Sequence, residues 1–254
     1  MRSFFNFLGE LFFPPVCVSC KRLLEWRPMH EDHAVFCETC MKKWENEQLD
    51  TCGLCGERVT RCTCRTEQME KARIDGFRKL IYYRHGTRDA VQNRLIFHIK
   101  QACTVQTTRF LAEQLASALQ EMLRESGTEP SNAILTYVPR SRRARREYGV
   151  DQAENLAKAL SAVSQIEVRG VILRTRGQDK QQKNLSPMAR MRNAKQVFAV
   201  EEGLSLAGKT VFLIDDIVTT GASMAACARL LRRAGARAVY GLAVASDDAN
   251  QSRA

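Results

Sequence analysis

The sequence predicts an α/β protein: a mainly parallel sheet covered by helices on both faces, preceded by a small cysteine-rich segment that binds zinc. Three observations carry this. Strand-like apolar runs alternate with segments of helical period through the larger, C-terminal part of the chain, the order that yields parallel strands joined by helices. Eight of the ten cysteines lie between Cys17 and Cys64, in closely spaced pairs. One apolar run, Val211–Ile214, leads directly into two aspartates and a turn rich in hydroxyls.

The elements follow in order. Residues 77–86 read as a strand that ends at Gly86, and Thr87–Lys100 as a helix with Val91, Leu95, Ile96 and Ile99 on one face. Thr107–Glu125 repeats Phe110, Leu111, Leu115, Leu119 and Leu123 with helical period. Strands are predicted at Ala133–Val138 and Glu167–Thr175, a helix at Gln152–Val163 between them, and a turn around Gly203. A strand at Lys209–Ile214, a helix at Ala222–Ala234 and a strand at Arg237–Ala245 complete the alternation. The boundaries are a lead-in and cysteine-rich segment over 1–66, a polar linker over 67–76 and the larger domain over 77–250.

The chain has 254 residues, 39 Lys and Arg against 28 Asp and Glu, a formal charge of +11, and 44% hydrophobic residues. The apolar content excludes a disordered tail. The charge suits phosphate-rich partners without separating nucleic acid from a small phosphorylated ligand. The N-terminal stretch has an apolar start broken by Glu10; it is too short to span a bilayer and shows no small-residue cleavage site, so no stable membrane insertion is expected. A cytoplasmic location follows, where thiols stay reduced and available for metal.

Cys17 and Cys20, Cys37 and Cys40, and Cys52 and Cys55 are each separated by two residues, and Cys62 and Cys64 by one. A two-residue gap lets a turn aim both thiolates at one ion, and four thiolates close a structural zinc site. The simplest grouping is sequential, Cys17, Cys20, Cys37 and Cys40 in one site and Cys52, Cys55, Cys62 and Cys64 in the other; an interleaved pairing is also open. About fifty residues with few apolar side chains need metal to supply folding energy. His30 and His33 read as surface residues, Cys103 and Cys227 as buried thiols on apolar helix faces, and His85 and His98 as ordinary histidines without a partner that marks a general base.

Asp215 and Asp216 are placed at the C-terminal end of their strand, where ligands of parallel sheets sit. Thr219, Thr220, Gly221 and Ser223 follow where a helix begins, and the amides and dipole of a helix N-terminus favour an anion. Carboxylates for a diol beside a turn for a phosphate describe a ribose-phosphate cradle. A plain helix cap explains Thr220 or Ser223 but not two consecutive aspartates.

This turn resembles the phosphoribosyl pyrophosphate signature of type I phosphoribosyltransferases, and the whole chain resembles the ComF family, including its GntX-like members, over nearly its full length. The eight-cysteine segment is one shared feature. Another is VPRSRRARREYGVDQA, which keeps Gly149 and Gln152 of the family's pattern and has Val150 and Asp151 between them. A third is DKQQKNLSPMARMRNAKQVF, matching at Gln182, Leu185, Arg190, Asn193 and Phe198, with Asp179 where threonine is usual. The acidic turn matches at Asp215, Asp216, Thr219, Thr220, Gly221 and Ser223.

The resemblance implies that Asp215 and Asp216, the catalytic positions, bind the ribose hydroxyls of phosphoribosyl pyrophosphate directly or with Mg2+. Val218, Thr219, Thr220, Gly221, Ala222 and Ser223 would hold its 5-phosphate, and Val138, Pro139 and Arg140 its pyrophosphate. Asp151 puts a carboxylate where the family has an amide, near an anionic site or paired to a neighbouring arginine. Arg142, Arg143, Arg145 and Arg146 cannot all share one helix face with Arg140, so some are available to a nucleic-acid strand. The family links the chain to competence proteins and to uptake and processing of single-stranded DNA. Whether it is a phosphoribosyltransferase of unknown acceptor or a non-catalytic nucleic-acid-binding adaptor with a relict sugar-phosphate site stays open at this level.

Overall fold

A computed structural model describes residues 14–24, 35–102, 104–140, 145–146, 149–174, 197–201 and 203–247. The expectations for His30, His33, Cys103, Arg142, Arg143 and the matched positions Asp179 to Asn193 lie outside these residues.

Four parallel strands form the main sheet in the order β1 (Gly76–Tyr82), β6 (Ala238–Ser246), β5 (Thr210–Val218), β2 (Ala133–Tyr137). Alternation along β5 feeds two cores, as a sheet covered on both sides requires. Phe212 and Ile214 point to the face packed by α3 (Val91–Gln101), α4 (Val105–Ser126) and α5 (Gln152–Ser164) through Leu95, Leu115 and Leu160. Val211 and Leu213 point to the other face, covered by α2 (Glu67–Lys71) and α6 (Ala222–Arg233) through Met69, Ala228 and Leu231. α4 begins with Thr104 accepting from the Thr107 amide and ends on Gly127 at φ 59, a side-chain N-cap and a left-handed glycine C-cap.

Two expectations change. The stretch Glu167–Thr175 is not a strand of the main sheet: Val168 makes a single parallel bridge to Leu135, and β3 (Ile172–Arg174) pairs antiparallel with β4 (Phe198–Val200) in a separate ribbon. An apolar run alone does not say which sheet it joins. The polar stretch 67–76 carries α2 and buries Met69, Ala72 and Ile74 against the α6 face; single apolar residues spaced among charges supply that contact.

The cysteine-rich segment contains one local structure twice. Val16 bridges Leu23 and Thr51 bridges Arg58. The amide of Cys17 donates to Arg22 and that of Cys52 to Glu57; the carbonyls of Cys17 and Cys52 accept from Lys21 and Gly56. Lys21 and Gly56 occupy the same left-handed position, at φ 62 and φ 72. The halves then diverge, since Cys37 opens α1 (Glu38–Glu47) with Cys40 in its first turn, whereas the Cys64 amide donates to the Cys62 sulfur at 3.4 Å. Trp44 of α1 is 1% exposed and meets Phe36 and Phe110, locking the segment onto α4. Among the described residues no helix is long and apolar enough to cross a membrane.

The twin turns differ in backbone cost. A side chain in the left-handed region costs roughly 1–2 kcal/mol that glycine avoids. Lys21→Gly is therefore expected to raise stability by about 1 kcal/mol in chemical denaturation. Gly56→Ala, whose Cβ would meet nothing within 4 Å, should lower it by a similar amount through backbone strain alone.

Candidate functional site

β2 and β5 stay paired only as far as Tyr137 and Ile214, and the Val138 amide makes the last bond, 3.0 Å to the Ile214 carbonyl. β5 continues beside β6 to the Val218–Ser246 pair. The aspartates thus lie within the strand and not beyond it, as the end at Ile214 implied. They lie where one edge of β5 has lost its neighbour. The Asp215 carboxylate accepts from the Asp216 amide at 2.9 Å, and that of Asp216 from the Ile217 amide at 2.9 Å.

Opposite the vacant edge, the chain leaving β2 brings Arg140, whose guanidinium donates to the Asp216 carboxylate. Val138 and Pro139 are buried beneath it. Arg140 is itself fixed: its amide donates to Asp151 Oδ2 at 2.9 Å. Asp151, 6% exposed, also caps α5 by accepting from the Glu154 amide and takes two bonds from the Arg145 guanidinium, at 2.8 and 3.1 Å. Of the two places open to this carboxylate, the structure selects the arginine pair. Arg145, grouped by sequence with the nucleic-acid-facing arginines, is committed to Asp151 and Glu154; Arg146 is exposed.

The sequence reading missed Lys100. The buried Gln152 side chain donates to the Lys100 carbonyl at 3.0 Å, holding the end of α3 against the start of α5. Lys100 is half buried, and burial pushes its ammonium pKa down, opposed by Asp216 and Asp215 and reinforced by Arg140. Its place at the end of a helix counted only as core hid it; a lysine closing an otherwise apolar face was the available signal. Asp215 is driven well above the ordinary carboxylate range, first by burial and then by the Asp216 charge.

Beyond β5 the turn exposes Thr219 and Thr220, and Gly221 takes φ 73 before α6 starts at Ala222. A Cβ on Gly221 would come 2.3 Å from Thr66 Oγ1 and 3.0 Å from Met69 Cγ, so both backbone and space require glycine. No side chain caps α6 from its N-cap position, and Ala222 and Ser223 are exposed. That leaves a helix terminus suited to an anion. At the same sheet edge His85 corrects the expectation of a histidine without a partner. Its Nε2 lies 2.9 Å from Asp247 Oδ1, and the Asp247 amide donates to the Val218 carbonyl at 3.0 Å. Cys227 is fully buried, its thiol pushed up by burial and by Asp215.

The cysteines gather sequentially and not interleaved. The sulfurs of Cys17, Cys20, Cys37 and Cys40, and separately those of Cys52, Cys55, Cys62 and Cys64, all lie within 4.8 Å of one another in each set. Four converging sulfurs match the donor set of a closed tetrahedral zinc site.

Residues 146–253 match the Phosphoribosyl transferase domain family. The DNA utilization protein YhgH of Escherichia coli strain K12 is 33% identical over 135 residues, 50% of this chain and 58% of that protein; the chain therefore spans little more than half of that relative. Among solved structures, the purine phosphoribosyltransferase of Pyrococcus horikoshii Ot3 is similar over 54% of this chain and 74% of its own, at 16% identity and a TM-score of 0.34. The adenine phosphoribosyltransferase of Leishmania donovani is similar over 60% and 70%, at 15% identity and a TM-score of 0.35. The chain thus joins a C-terminal segment similar to the Phosphoribosyl transferase domain to two cysteine tetrads ahead of it, and half of it is similar to a DNA utilization protein.

Proposed function

We propose that this chain binds phosphoribosyl pyrophosphate, carried with Mg2+, at the open edge of β5 and acts in the handling of single-stranded DNA in the cytoplasm. The observation that carries the ligand is the run from Asp215 to Ser223: two carboxylates on a strand extension paired on one side only, a left-handed glycine at the N-cap, and a helix start where only the Thr220 hydroxyl meets an amide, that of Ala222. Asp215 and Asp216 take the ribose hydroxyls. Val218 to Ser223 surround the 5-phosphate with backbone amides and hydroxyls. Arg140 leaves Asp216 for the pyrophosphate, and Lys100 adds a second cation beside it. Mg2+ would offset phosphate charge, while the chain itself supplies position and a fixed electrostatic field.

The DNA role is supported by the charge of +11, by exposed Arg146 and by similarity to a DNA utilization protein. The cysteine tetrads act as structural zinc sites. A non-catalytic adaptor is the second reading, favoured by the ion pair with Arg140 that already occupies Asp216.

Isothermal titration of phosphoribosyl pyrophosphate with Mg2+ tests the cradle. Micromolar affinity is expected, abolished in the Asp215→Asn, Asp216→Asn double variant and weakened about tenfold, or ~1.4 kcal/mol, in Lys100→Gln. Heat-silent titration of folded wild type sinks the cradle. Single-strand binding that survives the double variant while no acceptor base releases pyrophosphate selects the adaptor.

Asp215 also sets a pH dependence. Its folded pKa is raised, so its contribution to stability is intact below the unfolded carboxylate pKa and is lost as pH rises through the folded value. Within that window the ligand-free wild type should lose up to about 1.4 kcal/mol per pH unit relative to Asp215→Asn. Urea unfolding at stepped pH reads the difference, and parallel curves refute the assignment.

A further inference from the structure

Lys79 is 3% exposed on edge strand β1, an expensive place for an ammonium unless it is paired. Its Nζ lies 3.1 Å from Cys62 Sγ and 5.4 Å from the ring centroids of both Phe77 and Tyr82. Among the described residues no carboxylate forms an ion pair with it. Its strand neighbour Arg78, equally buried, instead has Glu121 and Glu125. Cys52, Val59, Cys62 and Tyr82 form one buried cluster with Cys64 packed on it, and the Tyr82 hydroxyl is buried there without a hydrogen-bond partner. Among the described residues no lysine or arginine side chain donates to a sulfur of the first tetrad; Arg94 donates to the Ser19 carbonyl and to Asp89.

Four thiolates around a doubly charged zinc leave two net negative charges, and groups that donate to the ligands tune how firmly the metal is held. We propose that Lys79 is the outer donor of the second metal centre: a buried ammonium, seated between two rings, that hydrogen-bonds the Cys62 thiolate and offsets the charge of the four-sulfur site. The pairing serves both partners. The negative charge of the four-sulfur site gives Lys79 its counter-charge, and the Lys79 hydrogen bond holds the Cys62 sulfur in place. Metal occupancy at this centre is thereby linked to the seating of β1, whose far end leads through Tyr83 to His85 at the ligand edge. Lys79 is a positioning residue and not a metal ligand.

The inference rests on the zinc reading of the tetrads, and the experiment separates the two. Zinc is first counted in purified protein; its absence overturns both. With two ions per chain, release to a chelator is followed with a zinc-sensitive dye, and cysteine alkylation mapped by mass spectrometry assigns each phase to a tetrad. In Lys79→Met, release from the Cys52, Cys55, Cys62 and Cys64 site should accelerate at least tenfold while the first site keeps its rate. Lys79→Gln, an uncharged donor, should fall between the two. Unchanged release from the second site in Lys79→Met overturns the proposal. If that variant does not fold, amine acylation of the wild type decides: Lys79 must resist labelling in zinc-loaded protein and react once the second site is stripped. Labelling of the loaded protein at the rate of exposed lysines overturns it.

Discussion

β5 outruns β2. Up to Ile214 the central strand has a neighbour on each side, and from Asp215 to Val218 it has one. Backbone groups buried without partners are costly, so such an overhang persists only where something polar meets the free edge. Here the aspartate carboxylates accept from the amides that follow them, and Arg140 closes across the gap. The rest of this sheet edge depends on that offset: Arg140 needs Asp151 to aim it, Asp151 needs the start of α5 to place it, and α5 is held to α3 through Gln152. One missing strand partner thus ties together α5, α3 and the chain leaving β2.

The alternation of strands and helices was legible because most of these elements bury a regular stripe: α4, α5, α6 and the central strands all fall within a few residues of their expected ends. What escaped depends on pairing across the fold. The strand ending at Ile214 was extended by β6, whose contact leaves no mark in the local apolar pattern. The Glu167–Thr175 run was apolar enough for the main sheet, yet β4 claimed part of it. His85 and Asp247 are far apart in sequence and meet only because β1 and β6 are neighbours. The ambiguity at Asp151 was itself legible, as a carboxylate amid arginines, but only the geometry chose between ligand and arginine. In the same way spacing named the cysteine pairs and could not say which pairs meet.

The cysteine-rich segment also solves a problem of the sheet. β1 is an edge strand, and open edges invite pairing with other chains. Arg78 donates to the Thr60 carbonyl and Lys79 to Cys62, while Arg84 binds Glu47 and Asp50. Cations on β1 and just beyond its end therefore meet acceptors along the cysteine-rich segment. Trp44 and Phe36 add an aromatic anchor against Phe110 of α4. The small segment has little core of its own and borrows one from the larger body.

The contact between Gly221 and Thr66 has a consequence for how the molecule divides. Thr66 stands two residues beyond Cys64 and caps α2, so the floor behind the turn at Gly221 is built from chain that directly follows the last cysteine of the second tetrad. The recognisable domain, 146–253, holds β5 and β6 but neither β1 nor β2, and it lacks Arg140, Lys100 and Thr66. The structural surroundings of the acidic turn are therefore wider than the family match. A fragment cut at the similarity boundary would carry the acidic turn with its walls removed.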